Sequence, residues 1–288
     1  MTLTDAPCTH AHHRVNGVTL HTVEAGPPDG PLVLLLHGFP EFWWGWRRQI
    51  GPLAAAGLRV VAPDLRGYGL SDKPRGLDAY APDVLAADVL GLIDAHGRGT
   101  ARVVGHDWGG VVAWWTAAKH PGRVERLAIL NAPHPDAWRR RVRRSPGQAL
   151  RSTYAAVFQL PWLPEALLSA GGFAALRRMM AGSARPDAFR PGELDRYVEA
   201  WSRPGALTAM LNYYRALRRR PAPPLPRVAP PTLVLWGARD AALQRALARE
   251  SLALCDRGGG VFLERATHWA HLEEPEAVNA ALVAFLRG

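Results

Sequence analysis

Five short, nearly unbroken apolar runs constrain this chain more than any other feature: residues 32–36, 59–62, 127–130, 232–236 and 261–263. A strand with one face in water alternates polar and apolar residues. A run apolar on both faces therefore belongs to a sheet covered on both sides. Between these runs lie stretches of helical length and pattern, at 42–56, 83–96, 111–119, 241–254 and 275–286, and residues 101–104 supply one more strand. Strand alternating with helix predicts an α/β fold, a mostly parallel sheet with helices on both faces. Upstream, residues 13–24 alternate around Asn16-Gly17, a two-residue hairpin signal, so two antiparallel strands should open the fold. A hydrophobic fraction of 48% over 288 residues is ample for such a core.

The rhythm stops at Asn131 and resumes at Pro231. The interval reads as helices broken at Pro161, Pro164, Gly171-Gly172, Pro186, Pro191 and Pro204, and it ends in a proline-rich connector. This predicts a helical lid inserted into one core, with the core at 1–132 and 223–288 and the lid at 133–222. Ligands of open α/β sheets bind beyond the carboxyl ends of the strands, where such a lid would lie.

One of those ends carries Gly105-His106-Asp107-Trp108-Gly109-Gly110. Glycines two positions on either side of Asp107 suit a tight strand-to-helix elbow, in which backbone passes close to backbone. Such an elbow usually presents a serine for acyl transfer. A carboxylate is already ionised near pH 7 and suits displacement at a saturated carbon, giving an alkyl ester that water must later cleave. The competing reading of Asp107 is a plain helix N-cap.

The neighbouring loops supply partners. His37-Gly38-Phe39-Pro40 follows the 32–36 strand, so the amides of Phe39 and Trp108 can form an oxyanion hole. Among eleven histidines, His268 stands in the last loop at the carboxyl edge, where a base is expected. His271 is its nearest rival, and His106 should project away from the cavity. Asp240, just past the 232–236 strand, is the expected acid partner, with Asp136 as alternate; Asp64 reads as a loop organiser. If the electrophile is a strained ether, phenols can donate to its oxygen, and the lid offers Tyr154, Tyr213 and Tyr214.

Composition excludes several classes. No apolar stretch approaches the roughly 20 residues needed to span a bilayer, and the start lacks a signal-peptide pattern, so no membrane insertion and a cytoplasmic setting are expected. The net charge of +10 invites a nucleic-acid reading. However, the arginine runs 139–144 and 218–220 are not interleaved with aromatics on a binding module, and no specific nucleic-acid partner is expected. Cys8 and Cys255 make no disulfide framework. Cys8, His10, His12 and His13 could mimic metal ligands, but they have no second ligand group to join, so neither metal nor cofactor is expected.

Taken together these residues resemble the epoxide hydrolases of the α/β-hydrolase superfamily, over nearly the whole chain: His37 to Glu41, 43–49, 64–69, the elbow, the lid and the late Asp240 and His268. The resemblance implies an eight-stranded α/β-hydrolase fold with an inserted cap. It also implies Asp107 as nucleophile, His268 as water-activating base, Asp240 as its partner, and Tyr154 and Tyr214 as the pair polarising a small apolar epoxide. His37, Pro40, Trp44, Tyr213 and Trp269 are the expected substrate contacts. The family's Asn-Trp-Tyr-Arg lid motif aligns with Asn212-Tyr213-Tyr214-Arg215, and its Phe-Gln-Glu-Pro-Gly departs here to Phe158-Gln159-Leu160-Pro161-Trp162. Dehalogenases share the aspartate elbow and are the alternative. Haloalkane-type members carry Asn where this chain has Phe39, and haloacid-type members carry arginines where it has Trp108 and Val111. A noncatalytic ligand-binding member would show a damaged constellation, whereas every position here is filled.

Overall fold

The computed structural model of the chain describes residues 8–219 and 223–288. The side chains of the 218–220 arginine run and the expected lid boundary at 222 lie outside the described residues. One sheet of eight strands runs in the order β1-β2-β4-β3-β5-β6-β7-β8. Its members are β1 (Thr9–Val15), β2 (Val18–Ala25), β3 (Leu32–Leu36), β4 (Arg59–Pro63), β5 (Ala101–His106), β6 (Val124–Leu130), β7 (Thr232–Gly237) and β8 (Gly258–Leu263). The Asn16-Gly17 turn sets β1 antiparallel to β2, and β2 is antiparallel to β4. Every other pairing is parallel. This is the α/β-hydrolase fold.

Strand β3 shows why the apolar runs are unbroken. Leu32, Leu34 and Leu36 enter one core cluster while Val33 and Leu35 enter the other, so its two faces are buried in different layers. Helices α1 (Ile50–Ala55) and α12 (Pro275–Arg287) cover one face; α2 (Pro82–Ala95) and α3 (Asp107–Lys119) cover the other. Each fully buried Leu or Val contributes about 1.5–3 kcal/mol.

Three boundaries differ from expectation. The single helix expected at 42–56 is a 3-10 turn at Trp43–Trp46 followed by α1. Pro52 lacks an amide hydrogen and would strike a carbonyl one turn back, so a helix containing it must start close by, at Ile50. The helix expected at 241–254 is α10 (Ala246–Leu252). Residues 242–244 are held instead by side chains: Asp240 Oδ1 accepts from the amides of Ala242 and Leu243, and Gln148 Oε1 accepts from Gln244. Strand β8 begins three residues early because Gly258, Gly259 and Gly260 pair with β7 while carrying no apolar signal.

Between β6 and β7 lie α4 (Pro135–Arg144), α5 (Pro146–Arg151), α6 (Thr153–Val157), α7 (Leu163–Ser183), α8 (Glu193–Trp201) and α9 (Ala206–Arg219). The break expected at Gly171-Gly172 is present: both glycines and Phe173 have positive φ and interrupt α7. Polar contacts dock this segment on the core. The Trp201 indole donates to the Pro40 carbonyl at 2.6 Å, the Tyr213 hydroxyl to the Arg66 carbonyl at 2.7 Å, and Arg47 pairs with Glu193 at 2.6 Å. The last loop carries the short α11 (Ala270–Glu273). Among the described residues no helix is long and apolar enough to cross a membrane.

Candidate active site

Asp107 is the first residue of α3, directly after β5, and its φ of +48° is the left-handed backbone of a strained turn. Holding a non-glycine residue there costs about 1–3 kcal/mol, which the surroundings must enforce. The flanking glycines explain how. A Cβ on Gly105 would lie 2.5 Å from the Gly109 carbonyl oxygen, and one on Gly109 would lie 2.1 Å from that of Leu36. These positions are small because backbone crosses backbone.

The elbow brings Asp107 against the loop after β3, where a Cβ on Gly38 would meet that of Asp107 at 2.4 Å. The Phe39 amide donates to Asp107 Oδ1 at 2.8 Å, as expected of an oxyanion-hole donor. Trp108, the other expected donor, follows Asp107 in the first turn of α3, where amides have no helical acceptor. Asp107 Oδ2 faces His268 Nε2 at 3.7 Å.

His268 Nδ1 hydrogen bonds to Asp240 Oδ2 at 2.8 Å, so the expected acid and base meet. Asp240 makes two sets of contacts at once: Oδ1 caps the Ala242–Leu243 turn while Oδ2 holds the histidine. Burial pulls the His268 imidazole down, but the Asp240 carboxylate, and after it Asp107 and Glu41, outweigh burial and push it up to about 9. Burial raises Asp240 in turn, yet His268, Asn131 and the Leu243 amide hold it below the usual carboxylate range. Asp136, the alternate acid, accepts from Arg139 and the Leu225 amide and takes no part.

Beneath this layer lies a second one, fully buried. His106 Nδ1 bonds Glu41 Oε2 at 2.8 Å and its Nε2 bonds the His268 carbonyl oxygen at 3.0 Å; His271 Nε2 reaches Glu41 Oε1 at 3.2 Å. Both rivals of His268 are thereby tied to Glu41, and His106 points away from the cavity as expected. Burial lowers His271 to about 4, Glu41 only partly offsetting it. Asp64 organises its loop, accepting from the Trp43 and Leu70 amides and pairing with His21.

Over Asp107 stands an aromatic wall. The Tyr214 ring meets Trp108 edge-on at 4.9 Å, Phe158 at 5.0 Å and Phe39 at 5.4 Å, with Tyr154 6.0 Å away. Burial raises both hydroxyls; Asp107 and Asp240 raise Tyr154 further, and Tyr154 and Asp107 do so for Tyr214. Both phenols thus stay protonated donors beside the carboxylate. Tyr154 remains 37% exposed.

Several expected substrate contacts are occupied otherwise. The Tyr213 hydroxyl is spent on Arg66, and both His37 nitrogens are engaged, by the Leu65 amide and the Gly38 carbonyl. Trp44 is packed under the guanidiniums of Arg47 and Arg196. The Trp269 indole donates to Ser183 Oγ at 2.9 Å, and the Pro40 carbonyl accepts from Trp201. Sequence reasoning missed Asn131, whose Nδ2 donates to Asp240 Oδ2 at 2.8 Å while its Oδ1 accepts from Gly237. Its place at the carboxyl end of β6 was the available signal.

An aspartate on a strand-to-helix elbow, with a histidine-aspartate pair and an amide donor around it, is the arrangement of an α/β hydrolase with a carboxyl group in the place of a serine. A family profile described as the alpha/beta hydrolase fold matches residues 31–275. The chain is 47% identical over 273 residues to the AB hydrolase superfamily protein YfhM of Bacillus subtilis, covering 94% of this chain and 96% of that one. It is 36% identical to Epoxide hydrolase A of Mycobacterium tuberculosis, covering 95% of each. The solved epoxide hydrolase of Bacillus megaterium in complex with an inhibitor superposes with a TM-score of 0.88 at 30% identity, over 96% of this chain and 100% of that one. The chain belongs to the epoxide hydrolases of the α/β-hydrolase superfamily.

Proposed function

We propose that the protein hydrolyses an apolar epoxide to a vicinal diol in two steps through an alkyl ester on Asp107. The observation that carries this is the placement of two phenols, Tyr154 and Tyr214, across from a carboxylate already paired with the His268–Asp240 couple. Asp107 Oδ1 is held by the Phe39 amide, leaving Oδ2 to attack a ring carbon. As that carbon-oxygen bond breaks, the departing oxygen takes a proton from a tyrosine. Water then gives a proton to His268 and attacks the Asp107 carboxyl carbon, with the Phe39 and Trp108 amides bearing the charge on Oδ1. The acyl-oxygen bond breaks, the leaving oxygen takes the carboxyl proton, and the diol departs with Asp107 again a carboxylate and His268 again protonated. Ester formation also removes one of the anions that hold His268 protonated, so its resting proton passes to the tyrosinate and alkylation itself frees the base before water is activated.

Residues 133–222 act as the cap in this reading, carrying both tyrosines over a core formed by 1–132 and 223–288. The aromatic wall of Phe39, Trp108, Phe158 and Tyr214 supports an apolar substrate. A cytoplasmic setting is part of the reading, supported by a cysteine count of two, too few for a disulfide framework.

A dehalogenase must donate to a departing halide. The Trp108 ring is instead packed edge-on against Tyr214, and Phe39 offers no side-chain donor. Single turnover in oxygen-labelled water distinguishes the routes: label should enter the Asp107 peptide and be absent from first-turnover diol. Label appearing directly in that diol would overturn the covalent route, and halide release from haloalkanes with no diol from epoxides would overturn the substrate class.

A further inference from the structure

The histidines near the start of the chain are not used by the active site. His13 on β1 places Nε2 2.7 Å from Oε1 of Glu24 on β2. His96, one residue past α2, brings its own Nε2 to 3.3 Å from the same oxygen, and the two rings face each other with centroids 4.7 Å apart. All three ligand-capable atoms lie within 4.8 Å of one another. The sequence argued against a metal here because Cys8, His10, His12 and His13 had no second group to join. The fold supplies that group for His13 and diverts His10, whose Nδ1 pairs with His21 at 2.8 Å.

Two of these atoms, on His96 and Glu24, are aimed by a further contact. His96 Nδ1 lies 2.8 Å from the Leu92 carbonyl oxygen, so that nitrogen carries the hydrogen and Nε2 offers the lone pair. Glu24 Oε2 is held by Arg59, while the Thr22 hydroxyl donates to Oε1 at 2.8 Å, which turns Oε1 toward the histidines. Arg59 is the one cation beside the cluster among the described contacts, and it sits on the opposite carboxylate oxygen. The side chains of His13 and His96 are partly open to solvent.

We propose that His13, Glu24 and His96 form a site for a borderline divalent cation of the zinc and nickel class, which pins the β1–β2 hairpin to the end of α2. Two imidazole nitrogens and one carboxylate oxygen are the donor set such ions favour, and solvent access leaves a position for water. Tetrahedral zinc with bonds of about 2.1 Å sets its ligands about 3.4 Å apart, so the observed 2.7 Å and 3.3 Å need only small shifts. The site is structural. His96 follows α2 and precedes the start of β5, and Arg59, bound to Glu24, is the first residue of β4, so the cluster lies toward the amino edge of the parallel strands, whereas Asp107 stands at their carboxyl edge. Strands β4 and β3 also intervene between β2 and β5, a separation of about 14 Å. The other such cluster, Glu41 with His106 and His271, is fully buried and has His106 Nε2 committed to the His268 carbonyl.

The test is calorimetric titration of chelator-treated full-length protein with Zn2+. One equivalent should bind, and the thermal midpoint should rise with zinc. His96→Ala and Glu24→Gln should each weaken binding by more than the roughly 10–100-fold that loss of an outer-shell partner alone costs. His10→Ala with His12→Ala should leave it unchanged. In the unmutated protein, substoichiometric Ni2+ should broaden the His13 and His96 ring resonances before those of other histidines, a readout independent of whether a variant folds. Zinc binding retained in His96→Ala, or broadening that begins at His10, His12 or His268, would overturn the proposal.

Discussion

The two halves of the active site are built differently. On the core side every charged group is tied at one atom or more to backbone or to another buried group: Asp107 to the Phe39 amide, His268 to Asp240, and Asp240 to Asn131, Ala242 and Leu243. On the side of the segment between β6 and β7 the two phenols rest on ring contacts, and Tyr154 stands on a five-residue helix, partly exposed. The groups whose charge must be set in advance are in rigid, low-dielectric surroundings. In the proposed reading the phenols meet the departing oxygen, from a segment packed on this site by its rings.

The largest effect should come from breaking the core half. His268→Gln should abolish turnover, on the order of 10⁴-fold, while alkylation proceeds, because only the second step needs the base. A substrate-sized mass increase on the Asp107 peptide checks this; a variant that neither turns over nor accumulates adduct would place His268 in the first step.

Removing one lid donor should cost less. Tyr214→Phe should slow alkylation about 10²-fold in single-turnover kinetics, since one of two donors remains. Tyr154→Phe should cost less again, because Tyr214 sits in a tighter aromatic contact set. Equal and complete loss from either substitution would mean that the lid is as tightly determined as the core.

The same contrast governs what could be read in advance. The elbow, the Phe39 loop, Asp240 and His268 were legible because each lies just past an apolar strand, and strand ends in a parallel sheet converge on one edge. The lid was legible only as an interruption, and Tyr154 and Tyr214 stood out by resemblance, since a tyrosine on an amphipathic helix is equally a packing residue. Tyr213, expected to touch substrate, is that packing residue, its hydroxyl taken by the Arg66 carbonyl. The pairing of His106 and His271 with Glu41 could not be read, because it joins the loop after β3, the end of β5 and α11 through side-chain bonds that leave no periodic trace.

Asn131 tests how far the core half depends on such unseen support. Asn131→Ala removes a donor to Asp240 and leaves the buried Gly237 amide without an acceptor, so stability should fall by about 1–3 kcal/mol. Turnover should drop roughly tenfold, equivalent to about 1.4 kcal/mol of transition-state stabilisation. Denaturant midpoints and kcat measured together check both. A stability loss with unchanged kcat would show that His268 and the capping amides orient Asp240 unaided.

The smallest effect is electrostatic and has a definite sign. His268 titrates near 9 in the folded protein against an ordinary 6.5, raised by Asp240 and then Asp107 against the pull of burial. The folded state therefore holds more protons than the unfolded chain between those values. Stability from the pairing is complete below pH 6.5 and is lost as pH rises through 9. Asp107→Ala removes one of the anions responsible, so the upper end of that window should move down and the loss of stability across it should shrink. Thermal midpoints from pH 6 to 9.5 in the two proteins measure the difference, with the His268 ring resonance as a direct check. Identical profiles would show that Asp240 alone sets the charge of the base, and alkylation of Asp107 would then not be the event that frees it.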